Sequence, residues 1–347
     1  MKTIKINLSS SSYSIKLGKD AIYNLPEYLK EIGFSKKLVI ITDKNVKKLH
    51  LTTLENILNK GNIDFSTIVI DAGEEYKTLE TVSNIYNELC EIGVTRQDAI
   101  LAFGGGVTGD ISGFVAATYL RGIKYIQVPT TLLSQVDSSI GGKTGVDLKA
   151  GKNLVGAFCQ PELVVADISL LKTLDDTEVS SGMAEIIKAG FIGDKELVLK
   201  LLNSKNLYDD IEEFILRAIN VKKEIVEIDE FEKNERMLLN FGHTFGHSIE
   251  KYYDFKGITH GQAVAVGMCL ITKDKDVKEK LIKILEKYNL KTKTDIPIET
   301  ILKLCRNDKK ALKDSINIVT VEEIGKGKIE NLSFDKLGEI YGNNKTF

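Results

Sequence analysis

AILAFGGGVTGDISGFVAATYL, residues 99–120, joins a β-rich run to a glycine-rich turn and then to a helical pattern. Within it, the turn Gly104 to Gly109 matches the spacing G-x-G-x-x-G. Backbone amides at the start of such a helix can face a pyrophosphate, so the stretch predicts a dinucleotide-binding turn. It departs from the usual fingerprint, because it follows a late strand and no acidic residue stands about 20 positions further on. A tight strand-to-helix turn without a ligand therefore fits these residues equally well.

Further β-rich runs lie on both sides of this unit and alternate with helix-length segments. This rhythm predicts a parallel sheet in a Rossmann-like α/β domain. Helical patterns cover 45–60, 78–92 and 107–120, and two extended pieces at 3–8 and 12–17 predict an edge hairpin. The runs are LVIIT (38–42), STIVI (66–70), AILAF (99–103), YIQVP (125–129) and LVVAD (163–167).

After residue 167 the pattern changes to amphipathic helical periodicity, with only SINIVT (315–320) strand-like. The change predicts two domains, an α/β domain over 1–167 and a mainly α-helical domain over 168–347. The length of 347 residues also favours two domains, since one hydrophobic core rarely serves so long a chain. The predicted helices of the second domain are 178–192, 208–228, 236–253, 260–272 and 276–289.

Composition excludes several classes of protein. The net charge of −2, from 47 basic and 49 acidic residues, gives no electrostatic footprint for nucleic acid or for an anionic membrane. The N-terminal residues lack the apolar region of a secretory signal, and no stretch approaches a transmembrane span. The four cysteines are scattered without a CxxC pair, which argues against a zinc knot or a disulfide framework. A reducing cytoplasm is the expected location.

Polar residues follow the ends of three other predicted strands. Ligands of open α/β sheets gather at the carboxyl ends of the strands, so these residues predict one crevice together with the glycine-rich turn. Each of them taken singly is typical of a cap or a turn. They are Asp43, Asn45, Glu74, Lys77, Thr130 and Thr131.

Three of the four histidines of the chain stand close together in sequence. If RMLLNFGHTFGHSIE (236–250) is one helix, its spacing forms a polar stripe of Arg236, Asn240, His243 and His247. Two imidazoles and one carboxylate make a three-ligand zinc site with an open position, which is typical of catalysis. Spacing alone does not decide between His243 with His247 and His243 with His260.

The third histidine and the carboxylate come from other segments. Thr259 and Gln262 form the capping-box pattern TxxQ, which predicts that His260 lies in the first turn of a helix. Glu185, in the apolar string SGMAEIIKAG, is the best candidate for the carboxylate, although a surface ion pair with Lys188 is the alternative. Close approach of backbones in this region is allowed by Gly242, Gly246 and Gly261.

Four long strings make the chain resemble the 3-dehydroquinate synthase family. They are DSSIGGKTGVD (137–147), GKNLVGAF (151–158), SGMAEIIK (181–188) and RMLLNFGHTFGHSIE (236–250), with PTTLLSQVDSS (129–139) and NDKK (307–310) in support. The resemblance covers nearly the whole chain. It implies a cytoplasmic homodimer that uses NAD and Zn²⁺, with Co²⁺ as a substitute, on a small sugar phosphate. The implied reaction is the lyase step of the shikimate pathway, towards chorismate and the aromatic amino acids, that forms 3-dehydroquinate and phosphate from 3-deoxy-D-arabino-heptulosonate 7-phosphate.

The resemblance also implies roles for individual residues. The metal ligands carry over to Glu185, His243 and His260, which leaves His247 to contact substrate or to transfer a proton. The implied NAD site comprises Asp43, Asn45, Glu74, Lys77, Gly106, Val107, Thr108, Gly109, Asp110, Thr130, Thr131, Lys143, Lys152 and Thr173. The implied substrate and catalytic residues are Arg121, Asp137, Lys143, Lys152, Asn153, Lys188, Lys222, Arg236, Asn240, His247 and Lys310. Several fixed cations suit a substrate that carries both a carboxylate and a phosphate.

Two rival functions share parts of this pattern. A polyol oxidoreductase of the glycerol dehydrogenase type resembles the family in architecture and in its metal and NAD site, but a neutral polyol needs no basic cluster. A sister sugar-phosphate cyclase that makes an inosose or a valiolone shares the zinc and NAD strings. The carboxylate-binding candidates Lys152, Asn153 and Arg236 favour dehydroquinate as the product.

Overall fold

The computed structural model describes residues 1–306 and 315–341. The chain divides into two compact units, Met1–Asp175 and Asp176–Phe347. The domain boundary at residue 167 stays a prediction, and strand Leu163–Asp167 ends there within the first unit. Among the helices of the described residues, none has the length and apolar composition needed to cross a membrane.

The first unit is built around a seven-stranded sheet. The strands of the whole first unit, in chain order, are β1 (Lys2–Asn7), β2 (Ser12–Gly18), β3 (Leu38–Asp43), β4 (Phe65–Ile70), β5 (Ala99–Gly104), β6 (Lys124–Pro129), β7 (Lys143–Leu148), β8 (Gly151–Phe158) and β9 (Leu163–Asp167). The order in the sheet is β1-β2-β9-β6-β5-β3-β4. All neighbours pair in parallel except β1 and β2, the predicted edge hairpin, while β7 and β8 form a separate antiparallel hairpin.

Both faces of this sheet are covered, as a Rossmann-like α/β fold requires. The apolar run of β3 alternates, so that Leu38 and Ile40 join one core and Val39 and Ile41 join the other. In register, Leu38 lies opposite both Phe65 and Ala99. The helices are α1 (Leu25–Glu31), α2 (Lys44–Val46), α3 (Thr52–Lys60), α4 (Leu79–Ile92) and α5 (Gly106–Thr118), with 3-10 helices at Ala21–Asn24, Glu74–Tyr76, Tyr119–Arg121 and Ile168–Thr173 and π-helical turns at Lys47–Leu51 and Ser134–Ser138.

The second unit is mainly helical, as predicted. Its helices are α6 (Asp176–Gly193), α7 (Lys195–Asn203), α8 (Leu207–Ile228), α9 (His243–Tyr252), α10 (His260–Ile271), α11 (Lys275–Lys287), α12 (Ile298–Cys305) and α13 (Phe334–Tyr341). The predicted strand at 315–320 is β10 (Ser315–Glu323), which pairs antiparallel with β11 (Lys326–Ser333). The four cysteines, all within the described residues, form no disulfide bond.

The continuous helix predicted over 236–253 is wrong. A 3-10 helix covers Glu235–Asn240, and Gly242 then adopts a left-handed φ of 79° before α9 begins at His243. Only His243 and His247 keep helical spacing, so the predicted stripe with Arg236 does not form. A side chain at Gly242 is excluded on two grounds. Glycine alone reaches this φ without strain, and an added Cβ would lie 2.7 Å from the carbonyl oxygen of Val264.

Candidate active site

In the first unit, Asp43 ties the end of β3 to the first turn of α5. Its carboxylate accepts the backbone N–H groups of Asn45, at 2.8 Å, and Val46, at 3.0 Å, and so caps the short helix α2. The other carboxylate oxygen accepts the hydroxyl of Thr108 at 3.2 Å. Two of the predicted strand ends therefore meet, and Asp43 serves as a cap as well as a candidate ligand residue.

The glycine-rich turn leaves bare backbone at the start of α5. An added Cβ at Gly104 would lie 2.5 Å from the Thr108 side chain, and one at Gly105 would lie 3.0 Å from Thr131. The N–H of Thr130 donates to the carbonyl of Gly104 at 3.0 Å, which holds the end of β6 beside the turn. Backbone amides at the first turn of a 13-residue helix suit an anionic group. The turn therefore fits a pyrophosphate.

Lys77 links three segments of this unit. It is only 4 % exposed, and its ammonium contacts Asp110 Oδ2 at 2.6 Å and Asn153 Oδ1 at 2.6 Å. Burial opposes the charge on Lys77, but the carboxylates of Asp110 and Glu74 outweigh it and raise the lysine pKa. Lys77 is therefore a buried cation held between the turn after β4, the first turns of α5 and strand β8.

The β7–β8 hairpin carries three of the predicted basic and polar residues. Lys152 Nζ lies 3.3 Å from Glu74 Oε1, and both side chains are partly exposed. Lys143 is exposed at the start of β7. Asn153 has a left-handed φ of 53°, and its N–H donates to Asp147 Oδ1 at 2.7 Å. The hairpin thus brings Lys152 and Asn153 to the Glu74–Lys77 turn.

The remaining predicted residues of the first unit lie in three short helical turns. Arg121 is exposed, with left-handed dihedrals at both Leu120, φ 50°, and Arg121, φ 67°. Such strain is expensive for residues other than glycine and clusters at functional sites. Asp137 is half-buried in the turn Ser134–Ser138. The hydroxyl of Thr173 lies 2.8 Å from Nε2 of His50, a residue that was not predicted for the site.

In the second unit, a buried cluster joins three helices. Glu185 lies on α6, and its Oε1 is 3.6 Å from His243 Nε2 and 3.3 Å from His260 Nε2. Potential ligand atoms of these three residues lie within 4.8 Å of one another. A second group, which shares His260, contains His247 and Glu250. His243 and His247 face each other at 5.4 Å between ring centroids, and both groups found among the described residues include His260.

The charge state of Glu185 suits a cation. Its side chain is 2 % exposed, and neither oxygen accepts a well-aligned hydrogen bond from a described residue. Burial opposes ionisation, but the charges of Lys188 and His260 outweigh it and lower the Glu185 pKa to about 2. The Glu185–Lys188 ion pair of the alternative does form, but it is buried and not at the surface. A buried, ionised carboxylate that faces two imidazole nitrogens fits a divalent metal.

Each imidazole of the cluster has an acceptor on its other nitrogen. His243 Nδ1 lies 3.1 Å from the carbonyl oxygen of Phe241, and His260 Nδ1 lies 3.6 Å from Glu250 Oε1. Burial disfavours a charged His260, but Glu185 and Glu250 outweigh it and raise the His260 pKa to about 10. A metal would have to displace that proton. Glu250 was not predicted, although it follows His243 by seven residues and shares its helix face.

The start of α10 fixes the position of His260. The Thr259 hydroxyl accepts the N–H of Gln262 at 3.3 Å, which confirms the predicted cap and makes His260 the first helical residue. The N–H of Gly261 donates to Ser181 Oγ at 3.1 Å. An added Cβ at Gly261 would lie 2.4 Å from the Cα of Ser181. Helix α10 therefore packs its first turn directly on the backbone of α6.

Helices α9 and α10 also meet backbone to backbone. An added Cβ at Gly246 would lie 3.1 Å from Val264 Cα. One at Gly267 would lie 2.0 Å from the carbonyl oxygen of Gly242 and 2.8 Å from the Gly246 nitrogen. Glycine is required where helices approach this closely, as the sequence predicts for Gly242, Gly246 and Gly261.

Other predicted residues of this unit are buried cations. Lys188, Lys222 and Arg236 are 3 %, 7 % and 2 % exposed. The Arg236 guanidinium donates to the carbonyl of Glu230, and Asn240 Nδ2 donates to Glu232 Oε1 at 3.2 Å. A group of buried cations is typical of a site that binds anions. Lys310 lies outside the described residues.

Comparisons with known proteins agree over the whole chain. The family models "3-dehydroquinate synthase N-terminal" and "3-dehydroquinate synthase C-terminal" match residues 67–181 and 182–311. A 3-dehydroquinate synthase of Clostridium kluyveri is 45 % identical over 99 % of this chain and 98 % of its own. A 2-deoxy-scyllo-inosose synthase solved with carbaglucose-6-phosphate, NAD⁺ and Co²⁺ is 27 % identical, with a TM-score of 0.84 over 98 % of this chain and 99 % of its own. A 2-epi-5-epi-valiolone synthase of Streptomyces hygroscopicus, solved with NAD⁺ and Zn²⁺, is 26 % identical, with a TM-score of 0.86 over 96 % of both chains.

Proposed function

The chain belongs to the 3-dehydroquinate synthase family, and we propose that it converts 3-deoxy-D-arabino-heptulosonate 7-phosphate to 3-dehydroquinate and phosphate. It is a lyase of aromatic amino acid biosynthesis, and it uses NAD and a divalent metal. The observation that carries the assignment is the match at 45 % identity over 99 % of the chain, because the sister cyclases reach only 26–27 % over similar coverage. Formation of an inosose or a valiolone, or oxidation of a polyol, is therefore less well supported as the reaction than formation of 3-dehydroquinate.

We propose Glu185, His243 and His260 as the metal ligands. A bound Zn²⁺ or Co²⁺ would supply a Lewis acid that polarises the carbinol and ketone oxygens of the substrate. The ionised, buried carboxylate and the two Nε2 atoms directed at it support this ligand set. The chain keeps these groups in place through the cap at Thr259 and the close packing at Gly261.

The proposed NAD site lies on the first unit. NAD held there would supply reversible hydride transfer at the substrate carbinol carbon. The bare backbone of the glycine-rich turn and the buried Lys77–Asp110 pair support the assignment. The proposed residues are Asp43, Asn45, Glu74, Lys77, Gly106, Val107, Thr108, Gly109, Asp110, Thr130, Thr131, Lys143, Lys152 and Thr173.

Acid–base and electrostatic roles fall to the chain's own side chains. His247, which is half-buried beside His243, is the proposed group for proton movement at the carbinol. Lys143, Lys188 and Lys222 would stabilise the charge that develops on phosphate and enolate oxygens. Arg236 and Asn240 complete the proposed catalytic set. The other proposed substrate contacts are Arg121, Asp137, Lys152, Asn153 and Lys310.

The proposed reaction predicts that NAD acts catalytically. With NAD far below the substrate concentration, the enzyme should release phosphate in many-fold excess over total NAD without steady growth of NADH absorbance. A substrate deuterated at the oxidised carbon should keep its label there, because a closed site returns the same hydride. Product NMR identifies the carbocycle. Stoichiometric NADH would instead establish a polyol dehydrogenase, and a different ring would establish a sister cyclase.

Lys152 is expected to serve the substrate more than NAD. Replacing Lys152 by alanine should raise the substrate KM by about 10–100-fold, because a lost charge-assisted contact costs about 1.5–3 kcal/mol. The Kd for NAD should change far less. Both constants can be measured by titration and steady-state kinetics.

Lys149 provides the matched control for this change. It is exposed on the turn of the same hairpin, so Lys149→Ala should leave both constants unchanged. An equal loss of affinity for both ligands in Lys152→Ala would mean that Lys152 serves NAD as much as the substrate, through its contact with Glu74.

Homodimer formation and a cytoplasmic location are proposed from the family resemblance. Sedimentation equilibrium of the purified chain checks the first, and fractionation of the source cells checks the second.

A further inference from the structure

The ring of His260 lies between two buried carboxylates. Its Nε2 faces Glu185 Oε1 at 3.3 Å, and its Nδ1 faces Glu250 Oε1 at 3.6 Å. Glu250 lies on α9 and is 3 % exposed. The two acids therefore approach opposite nitrogens of one imidazole. A single ion bound to Nε2 would also have Glu185 as a ligand, and Glu250 would stay on the side of Nδ1.

The second imidazole of the cluster is oriented differently. His243 Nδ1 faces the neutral carbonyl oxygen of Phe241 at 3.1 Å, while its Nε2 faces Glu185. A carbonyl fixes a tautomer without adding charge, whereas a carboxylate also increases the basicity of the ring. The two imidazoles of the site thus have unequal support, and the stronger support belongs to His260.

We propose that Glu250 is a positioning residue for the metal site. It accepts the Nδ1–H of His260, which fixes the tautomer whose Nε2 lone pair is free for the metal, and its charge strengthens that nitrogen as a ligand. The present separation of 3.6 Å is longer than an ordinary N–H···O hydrogen bond, so the proposal requires His260 and Glu250 to approach each other when the metal is bound. This inference rests on the proposed metal ligands Glu185, His243 and His260.

Two substitutions separate the acceptor from the charge. Glu250→Gln keeps an acceptor oxygen in nearly the same volume, and Glu250→Leu removes both the acceptor and the charge. The readout is the Co²⁺ dissociation constant of the full chain, from competition with a chelator at fixed pH, together with the metal content at saturation and the visible Co²⁺ spectrum. Glu224→Gln, at an exposed acid on α8, is the matched control.

Glu250→Leu should weaken Co²⁺ binding by about 10–100-fold, the usual effect of removing an outer partner of a ligating histidine. Glu250→Gln should lose less, and Glu224→Gln should lose nothing. Metal content at saturation should stay full in all of them, and the Co²⁺ spectrum of Glu250→Gln should match that of the unaltered chain. Because Gln is nearly isosteric with Glu, its intermediate affinity tests the idea even if the leucine variant fails to fold.

Unchanged affinity in both Glu250 variants would overturn the proposal. Loss of full metal content in both variants would also overturn it, since it would make Glu250 a direct ligand in the group with His247 and His260. Failure of the proposed function looks different. The unaltered chain would then bind no metal tightly, or His260→Ala would bind it as well as the unaltered chain.

Discussion

Replacing His260 by alanine is expected to remove tightly bound metal and to lower kcat by at least about 10³-fold. The metal stabilises developing charge on oxygen by several kcal/mol, and each 1.4 kcal/mol corresponds to about a factor of ten in rate. The substitution removes the Nε2 that lies 3.3 Å from Glu185 and leaves a buried carboxylate with fewer partners. Metal content after dialysis and steady-state kinetics measure the two effects, and added Zn²⁺ or Co²⁺ should restore the unaltered enzyme after chelation but not the variant.

His247→Ala is the matched comparison. It removes the same kind of side chain within the same histidine group, and we expect it to retain the metal while turnover slows. If His260→Ala keeps both metal and activity, the ligand set is wrong and His247 replaces His260 as the third ligand. That result would favour His243 and His247 as the two histidine ligands, the i, i+4 pair that the sequence left open as an alternative.

Gly267→Ala is expected to destabilise the second unit severely. The added methyl would lie 2.0 Å from the Gly242 carbonyl oxygen and 2.8 Å from the Gly246 nitrogen. These are backbone atoms, so no side-chain rotation relieves the overlap. Overpacking costs about 1–3 kcal/mol, and an overlap with backbone atoms belongs at the upper end, about 3 kcal/mol. Thermal unfolding should therefore shift down by roughly 6–12 °C, and the metal Kd should rise because α9 and α10 carry His243 and His260.

Gly338→Ala serves as the control for the same chemical change. Gly338 lies within α13, and an added Cβ there would have no atom within 4 Å. Alanine is the better helix former, so this variant should gain about 0.5–1 kcal/mol. If Gly267→Ala unfolds at the same temperature as the unaltered chain, the two helices are not in backbone contact.

The sequence predicts the sheet well because its signal is local. The buried strands are continuous apolar runs, and each predicted run lies within a strand of the structure to within one residue at either end. The hairpin β7–β8 was missed, since its sequence is rich in glycine and lysine and no residue of β8 is fully buried. Pairing with a neighbouring strand, which no local pattern encodes, stabilises it.

The candidate site likewise has parts that local sequence predicts and parts that depend on contacts between distant segments. Glu185, His243 and His260 come from segments far apart in sequence, and their motifs identify them without giving their distances. The helix break at Gly242 was missed because periodicity continues across it, although a glycine directly before a histidine-rich helix was a signal for a boundary. Glu250 was missed because a buried acid looks like any other helix residue until His260, from another helix, is placed against it.

The glycine contacts between α9 and α10 have a consequence for how the protein acquires its metal. Those contacts are made by the polypeptide alone, so the histidines are held in position before any ion arrives. Zinc fingers differ, because the free energy of metal binding there is also the free energy of folding. Here the ion would bind side chains already held in place by the packing of the helices, and little of its binding free energy would be used to order the chain. The metal-free protein should therefore remain folded and reloadable, with a melting temperature that rises with metal concentration only as mass action requires.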